Sequence, residues 1–222
     1  MDSKGNALDV KDIQTEAFGF IVAGSHTTAA TAYFLMWHLF HNNTTLSRLQ
    51  DELRAVTLSD DNPCYPYSAL ASLPYLQASV FENFRISPVF VMPLMRVVPK
   101  GGKVIAGQFV PAGVDVSICN YALHHNPEVF GTDLECFIPE RWLKGDYNKS
   151  QYLMPFGAGH RACIGRNIAM TEIYKLVGSL LARYDFEYLP QAQSLNDTIP
   201  ETTSFGVADL KESLMVRLRA RK

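Results

Sequence analysis

Residues 155–166 read PFGAGHRACIGR, and they place a single cysteine, Cys163, in a glycine-rich turn just ahead of a helical pattern. The dipole of that helix and the nearby Arg161 both favour negative charge, so they favour the thiolate form of this cysteine. The glycines of the turn carry no side chain, which lets a flat and bulky group approach the backbone. A thiolate in a shallow glycine cradle is what an iron-bound cysteine ligand requires.

Spacing alone leaves other interpretations of this turn open. A nucleophilic cysteine would need His160 as its base, although three residues across a turn is poor geometry for that pair. A zinc site needs three or four clustered ligands, and only His160 and Cys163 lie here. A cysteine with a purely structural role is as compatible with the spacing as an iron ligand.

The composition is that of an ordinary globular chain. With 222 residues, 47% of them hydrophobic, it can bury a sizeable core in one large domain or two small ones. A net charge of -2 gives no reason to expect nucleic acid as a partner. The polar start MDSKGNALDVKD predicts neither a signal peptide nor an N-terminal membrane anchor. The other cysteines are predicted to be small buried hydrophobes: Cys64, Cys119 and Cys136.

A long helix is predicted from the capping candidates Asp9 and Asp12 to about Asn42. Its stretch 17–40 has no charged residue and is long enough to span a bilayer. The polar cluster SHTT at residues 25–28 would be costly at mid-membrane, however. We therefore favour a helix that is buried on every side in a large core.

Further along the chain, two more helices are predicted in TTLSRLQDELRAV and SLPYLQASVFENFRISP. Short apolar runs broken by Gly and Pro predict strands and hairpins over 89–116. Loops dominate 123–152, and a helix follows Cys163 before a final strand in LMVRLRA. The helix after Cys163 is predicted to carry one apolar stripe, formed by Ile168, Ile173, Leu176, Val177, Leu180 and Leu181. The predicted fold class is mainly α with small β-sheets.

At the cysteine turn the chain resembles a known family. PFGAGHRACIG is similar to the cysteine-ligand signature of the cytochrome P-450 heme-thiolate monooxygenases, and the matching residues are Phe156, Gly157, Gly159, Arg161, Cys163 and Gly165. Three further motifs of that family follow its order: AGSHTT at 23–28, ENFR at 82–85 and FIPERW at 137–142. The resemblance implies the C-terminal portion of the P-450 fold, with a long distal helix, a Glu-Arg helix, the cysteine-ligand loop and the helix after it.

The Glu82–Arg85 pair would by itself be a solvated surface feature of small energetic value. The resemblance implies instead that Arg141 joins the two residues in a buried charge network behind the heme. The role of such a network is folding and heme retention rather than chemistry.

The resemblance implies heme b as the cofactor, with Cys163 as the axial ligand of its iron. It implies that Gly24 makes room above the heme, and that Thr27 is the alcohol that steers protons to bound dioxygen. His26 stands where the family usually has Asp or Glu, and imidazole can also relay protons near neutral pH. The remaining implied cofactor contacts are Arg96 and Arg161, as heme-propionate partners, with Phe156 and Gly157.

Substrate-facing positions match less specifically, and ordinary core packing explains them equally well: Met92, Pro93, Leu94, Ser204 and Phe205. The implied partners are O2, a hydrophobic small molecule and an NADPH-cytochrome reductase, without nucleic acid. An intact family member is expected at the cytosolic face of the endoplasmic reticulum membrane, whereas this chain is expected to lack an anchor of its own. VAGSHTT, RVVPKGG and FIPERW resemble fungal members that act in secondary metabolism.

We expect residues 1–222 to form a truncated heme-binding monooxygenase domain that lacks the N-terminal part of the fold. Motif content predicts a heme-thiolate monooxygenase, or a C-terminal fragment of one. The alternative is a non-catalytic fragment that binds heme weakly or needs a separate N-terminal half, because helices left uncovered expose apolar faces to water.

Overall fold

The structure is a computed structural model that describes residues 7–56, 65–143, 147–189, 200–204, 206–211 and 213–221. The helices in these ranges are α1 (Val10–Phe40), α2 (Asn43–Arg54), α3 (Tyr67–Ala71), α4 (Pro74–Ile86), α5 (Asn120–His124), α6 (Pro127–Phe130) and α7 (Arg166–Arg183). Short 3-10 turns cover Pro139–Trp142, Tyr147–Tyr152 and Gly159–Arg161. The predicted class, mainly α with small sheets, is confirmed.

The strands pair only in twos within the described ranges, always antiparallel. They are β1 (Arg96–Val97), β2 (Lys103–Ile105), β3 (Gln108–Val110), β4 (Asp115–Val116), β5 (Tyr184–Tyr188), β6 (Thr202–Ser204), β7 (Ala208–Leu210) and β8 (Val216–Ala220). The pairs are β1 with β4, β2 with β3, β5 with β8, and β6 with β7. The strands predicted over 89–116 and in LMVRLRA are thereby confirmed.

Helix α1 begins where its capping residue predicts, because an Asp9 carboxylate oxygen accepts the Asp12 N–H at 2.8 Å. Its C-terminal part, from Ala30 to Phe40, is almost entirely buried. The prediction that the helix is buried on every side is wrong for its N-terminal part. Apolar side chains lie exposed there, at Val10, Ile13, Phe18, Phe20, Ile21 and Val22. No helix among the described residues is both long and apolar enough to cross a membrane.

The core lies between the C-terminal part of α1 and helices α2, α4 and α7. Its fully buried side chains include Leu35, Leu39, Leu49, Leu53, Leu76, Val80, Val177 and Leu181. The stripe predicted on α7 is only partly correct, since Ile168 and Leu176 are 66% and 49% exposed. At about 100° of rotation per residue, Ile168 lies roughly 140° away from the buried Ile173.

Helix α4 is held at its first turn by a side chain from α2. The Glu52 carboxylate accepts the N–H groups of Tyr75 and Leu76 at 2.7 and 2.8 Å. Pro74 precedes them at the first helical position, where its missing N–H costs nothing. Two of the unpaired amides at the helix start are therefore satisfied from another element, which fixes α4 against α2.

Candidate heme-thiolate site

The cysteine loop is closed by a hydrogen bond between its two ends. The Cys163 N–H donates to the Phe156 carbonyl at 2.8 Å. Between them, Gly157 and Gly159 have φ angles of +67° and +70°, a conformation that favours glycine. No atom lies within 4 Å of the position that a Cβ would occupy at either glycine. The loop therefore leaves open space beside a backbone that is bent back on itself.

The surroundings of Cys163 fit a flat group carrying acidic side arms. The thiol is free and exposed, and Ile164 beside it is 87% exposed. Arg161 is also exposed, and within the described ranges no carboxylate pairs with it. Helix α7 begins three residues after the cysteine, at Arg166. An exposed sulfur, an open apolar surface and an unpaired cation are together what a heme edge with its propionates needs.

Phe156 faces the inner side of the loop. Its half-buried ring meets Phe84 of α4 edge to face, with 5.4 Å between the ring centroids. The Arg166 guanidinium lies over the same ring at 5.7 Å from the centroid. Phe156 therefore ties the loop to α4 and to the start of α7.

A buried charge network is centred on Glu82 of α4. Its carboxylate accepts from Arg85 Nε and Nη2 at 3.0 and 2.8 Å, and from Arg141 Nε at 2.9 Å. Glu82 and Arg85 are fully buried, which rules out a solvated surface pair and confirms the network. Trp142 Nε1 and the Ile138 N–H also donate to Glu82, at 2.8 and 3.1 Å, which the sequence did not predict.

The residues predicted on the distal side lie on α1. Thr27 Oγ1 donates to the Ala23 carbonyl at 2.8 Å, so its hydroxyl is bonded to the helix backbone. His26 Nε2 lies 2.8 and 2.9 Å from the two carboxylate oxygens of Asp209 on β7. Both side chains of this pair are about half exposed, at 52% and 47%. Nothing lies within 4 Å of a Cβ placed at Gly24.

Arg96 lies on β1 and is exposed, and its guanidinium donates to the Met95 carbonyl at 2.8 Å. Among the described residues no carboxylate pairs with it either. Of the substrate positions, Met92, Pro93, Leu94 and Ser204 are exposed, while Phe205 lies outside the described residues.

The structure thus brings Phe156, Gly157, Arg161 and Cys163 together in one loop. Within the described residues, no hydrogen bond or ion pair joins this loop to the distal residues of α1 or to Arg96. The Asp209 partner of His26 was missed, because 183 positions separate the two residues and no local pattern connects them.

The other interpretations of the cysteine turn gain nothing from the structure. No hydrogen bond joins His160 to Cys163 in the part of the chain that is described. Over the same residues, no group of three or more His, Cys, Asp or Glu side chains could hold a metal ion, so a zinc site lacks ligands there.

The predicted burial of Cys119 and Cys136 is wrong, since both are exposed, and Cys64 lies outside the described residues. Cys119 directly precedes α5, and Cys136 lies between α6 and the Pro139–Trp142 turn, so neither cysteine lies within a core helix.

The chain is thus mainly helical, with a buried Glu-Arg-Arg network and an exposed cysteine loop. Residues 1–216 match the cytochrome P-450 family. The chain belongs to the cytochrome P-450 family, whose members bind heme and generally use O2, a redox partner and a small-molecule substrate.

Fungal relatives have similar sequences. The cytochrome P-450 monooxygenase cicH of Emericella nidulans is 40% identical over 82% of this chain and 37% of its own length. A pisatin demethylase of Fusarium vanettenii is 42% identical over 84% of this chain and 36% of its own length. The monooxygenase mpaDE of Penicillium roqueforti is 40% identical over 77% of this chain and 21% of its own length. The chain therefore spans little more than a third of these relatives at most.

Proposed function

We propose that residues 1–222 form the C-terminal part of the heme-binding domain of a cytochrome P-450 monooxygenase. The observation that carries this proposal is the exposed Cys163 thiol in a loop with open space beside two left-handed glycines. Membership of the family and the similarity to fungal monooxygenases support it.

In this proposal heme b is bound through the Cys163 sulfur and supplies the activation of dioxygen. The ligand of the heme iron would be the Cys163 thiolate. The loop therefore has to hold this sulfur in place and keep other ligands away from the iron. Arg161 and Arg96 bind the two propionates by charge-assisted hydrogen bonds. The open space beside Gly157 would let the ring approach the backbone, and Gly24 would leave room for it on α1.

His26 and Thr27 are proposed to handle protons on the α1 side. The Thr27 hydroxyl donates its hydrogen bond to the Ala23 carbonyl. To pass on a proton, it has to turn from this carbonyl to a new acceptor. His26 has one ring nitrogen on Asp209, which leaves Nδ1 as the nitrogen able to exchange a proton. Replacing His26 with Asp restores the residue usual in the family.

Membership of the family supports the following partners for the proposed enzyme. O2 is one substrate, and the other is a hydrophobic small molecule of secondary metabolism that is hydroxylated or otherwise oxidised. An NADPH-cytochrome reductase supplies the electrons at the cytosolic face of the endoplasmic reticulum membrane. The name of one relative, pisatin demethylase, supports a small-molecule substrate.

The test is the carbon monoxide difference spectrum of the reduced, heme-loaded chain. We expect the strongly red-shifted Soret band of thiolate-bound heme in the wild type and in Cys136→Ala, which removes another exposed cysteine. The band should be lost in Cys163→Ala. A band that persists in Cys163→Ala, or is absent from the wild type, would overturn the proposal for this chain.

The role of His26 has its own test. With reductase, NADPH and O2, the hydrogen peroxide released per NADPH consumed is compared between the wild type and His26→Asp. A changed ratio supports proton handling by His26. An unchanged ratio removes this side chain from the mechanism.

The second candidate function is a non-catalytic fragment that binds heme weakly or acts with a separate N-terminal half. The exposed apolar side chains on the N-terminal part of α1 favour it, including Phe18 and Phe20 at 70% and 58% exposure. Heme titration separates the candidates. Equal, weak heme affinity in the wild type and in Cys163→Ala would support the fragment, whereas a large difference between them supports the thiolate site.

A further inference from the structure

The cysteine loop starts from a backbone position that is hydrogen bonded on both sides. The Met154 N–H donates to His124 Nε2 at 2.9 Å. The Met154 carbonyl accepts from Asn120 Nδ2 at 3.2 Å and from the Gly157 N–H at 3.1 Å. Asn120 and His124 are the first and last residues of α5, four positions apart and therefore on one face of that helix.

His124 is suited to accept this bond. Its side chain is fully buried, and burial, with a smaller contribution from His125, lowers the pKa of His124 to about 4. The ring is therefore neutral near pH 7, and a neutral imidazole offers one nitrogen as an acceptor. Protonated imidazole has no acceptor and would leave the half-buried Met154 N–H without this partner.

We propose that Asn120 and His124 are positioning residues for the Cys163 ligand; this rests on the proposed function for the role of the sulfur. Met154 lies two residues before Phe156, whose carbonyl accepts the Cys163 N–H. Holding the Met154 backbone in place therefore also restrains the Phe156 carbonyl, which accepts the hydrogen bond from Cys163. Supporting hydrogen bonds of this kind orient ligands that themselves contact the metal.

Packing alone makes a different prediction from positioning. If the His124 ring only fills space, then His124→Leu keeps most of the buried volume and should leave the loop unchanged. If the acceptor nitrogen matters, His124→Leu frees the Met154 N–H, whereas His124→Gln can still accept it through its amide oxygen. The pair of variants separates the two roles.

The first measurement is amide hydrogen exchange on the chain without heme, resolved by NMR. We expect His124→Leu to speed exchange at Met154 about fivefold and at Cys163 by a smaller factor, because the hydrogen bond from the Met154 N–H is lost. His124→Gln should retain most of the protection. The control is His125→Leu, whose ring nitrogen bonds to the Tyr121 carbonyl and not to the loop. Unchanged protection at Met154 and Cys163 in His124→Leu would overturn the inference.

Asn120→Ala keeps the test decisive if His124→Leu fails to fold. Asn120 is only partly buried, so its loss removes one bond to Met154 without opening a core cavity. We expect faster exchange at Gly157 and Cys163 in this variant, with the helices still folded by circular dichroism. Wild-type rates at both amides would contradict the inference.

The second measurement is the carbon monoxide difference spectrum of the heme-loaded variants. We expect His124→Leu to lose a large share of its thiolate-type band at unchanged heme content, with rescue in His124→Gln. If the wild type shows no such band while the exchange results hold, the proposed function fails and the anchoring of the loop stands. If the band is present in the wild type and equal in all variants, the positioning role is overturned and the proposed function stands.

Discussion

Glu82 accepts hydrogen bonds from three side chains and one backbone amide. The side chains are those of Arg85, Arg141 and Trp142, and the amide is that of Ile138. A carboxylate with no exposed surface is tolerated only with this many donors. Removing its charge leaves the buried Arg85 and the nearly buried Arg141 without their counterion. The residue therefore joins α4 to the Pro139–Trp142 turn through buried contacts.

We predict that Glu82→Gln lowers the free energy of unfolding by about 3–5 kcal/mol, the usual cost of breaking a buried ion pair. The matched control is Glu187→Gln, because Glu187 pairs with Arg217 on an exposed strand pair. That change should cost less than about 1 kcal/mol. Urea unfolding followed by circular dichroism measures both, and equal costs would show that the Glu82 network is not buried in solution.

Gly24 allows a second comparison at the scale of one residue. Both Gly24 and Gly19 lie within α1 with open space where a Cβ would stand. Each change to Ala should stabilise the chain without heme by about 0.5–1 kcal/mol, through helix propensity. If the heme packs against Gly24, only Gly24→Ala should weaken heme binding, by about 1–3 kcal/mol from overpacking. Heme titration that finds equal affinities for the two variants would remove Gly24 from the site.

Individual residues show what the sequence could predict. The Glu82–Arg85–Arg141 network was predictable, because a spacing of three joins the first two and the FIPERW motif identifies the third. The bond from Asp209 to His26 was not, since it depends on how β7 packs against α1. The hydrogen bonds from Asn120 and His124 to the Met154 backbone were hard to predict. Their only sequence signal is a polar pair four residues apart in a loop-rich segment.

At the scale of elements, α1 shows why hydrophobic content does not determine burial. Its stretch 17–40 has no charged residue, which favoured the prediction of burial on every side. Helix α1 contacts α2, α4 and α7, but its buried residues begin only at Ala30, and Phe18 and Phe20 lie on the surface. Amphipathic helix α2 was predicted correctly, because its apolar residues repeat along one face only.

This contrast gives a prediction with a matched pair of phenylalanines. Phe34 is 1% exposed and Phe20 is 58% exposed on the same helix. Phe34→Ala should destabilise the chain by about 3–5 kcal/mol, because it opens a core cavity. Phe20→Ala should change stability by no more than about 0.5 kcal/mol. Chemical unfolding of both variants is the measurement, and a large cost for Phe20→Ala would mean that this surface is covered in solution.

At the scale of the whole molecule, buried histidines set the response to acid. Burial, with smaller contributions from His41 and Arg85, lowers the pKa of His38 to about 3, and burial lowers that of His124 to about 4. In the unfolded chain both titrate near 6.5. The unfolded state therefore binds more protons below pH 6.5. Their contribution to stability is complete above pH 6.5 and is lost as the pH falls toward 4 and then 3.

We predict that the free energy of unfolding falls by about 3 kcal/mol between pH 6.5 and pH 5, at up to roughly 1.4 kcal/mol per pH unit for each buried histidine. His38→Gln, which can keep a hydrogen bond to Ser87, should remove about one histidine's share of this slope. His160→Gln, on the exposed cysteine loop, should keep the wild-type slope. Urea unfolding at several pH values measures this pH dependence. An identical slope in the wild type and both variants would contradict a contribution of buried His38 to it.

In the proposed function, the sulfur of Cys163 binds the heme iron. X-ray absorption at the iron edge tests it most directly, since a sulfur ligand is distinguished from nitrogen and oxygen in the first coordination shell. For the heme-loaded chain we predict one sulfur at the iron in the wild type and in Cys136→Ala, and none in Cys163→Ala. Nitrogen and oxygen ligands alone in the wild type, or a sulfur that survives Cys163→Ala, would contradict the account.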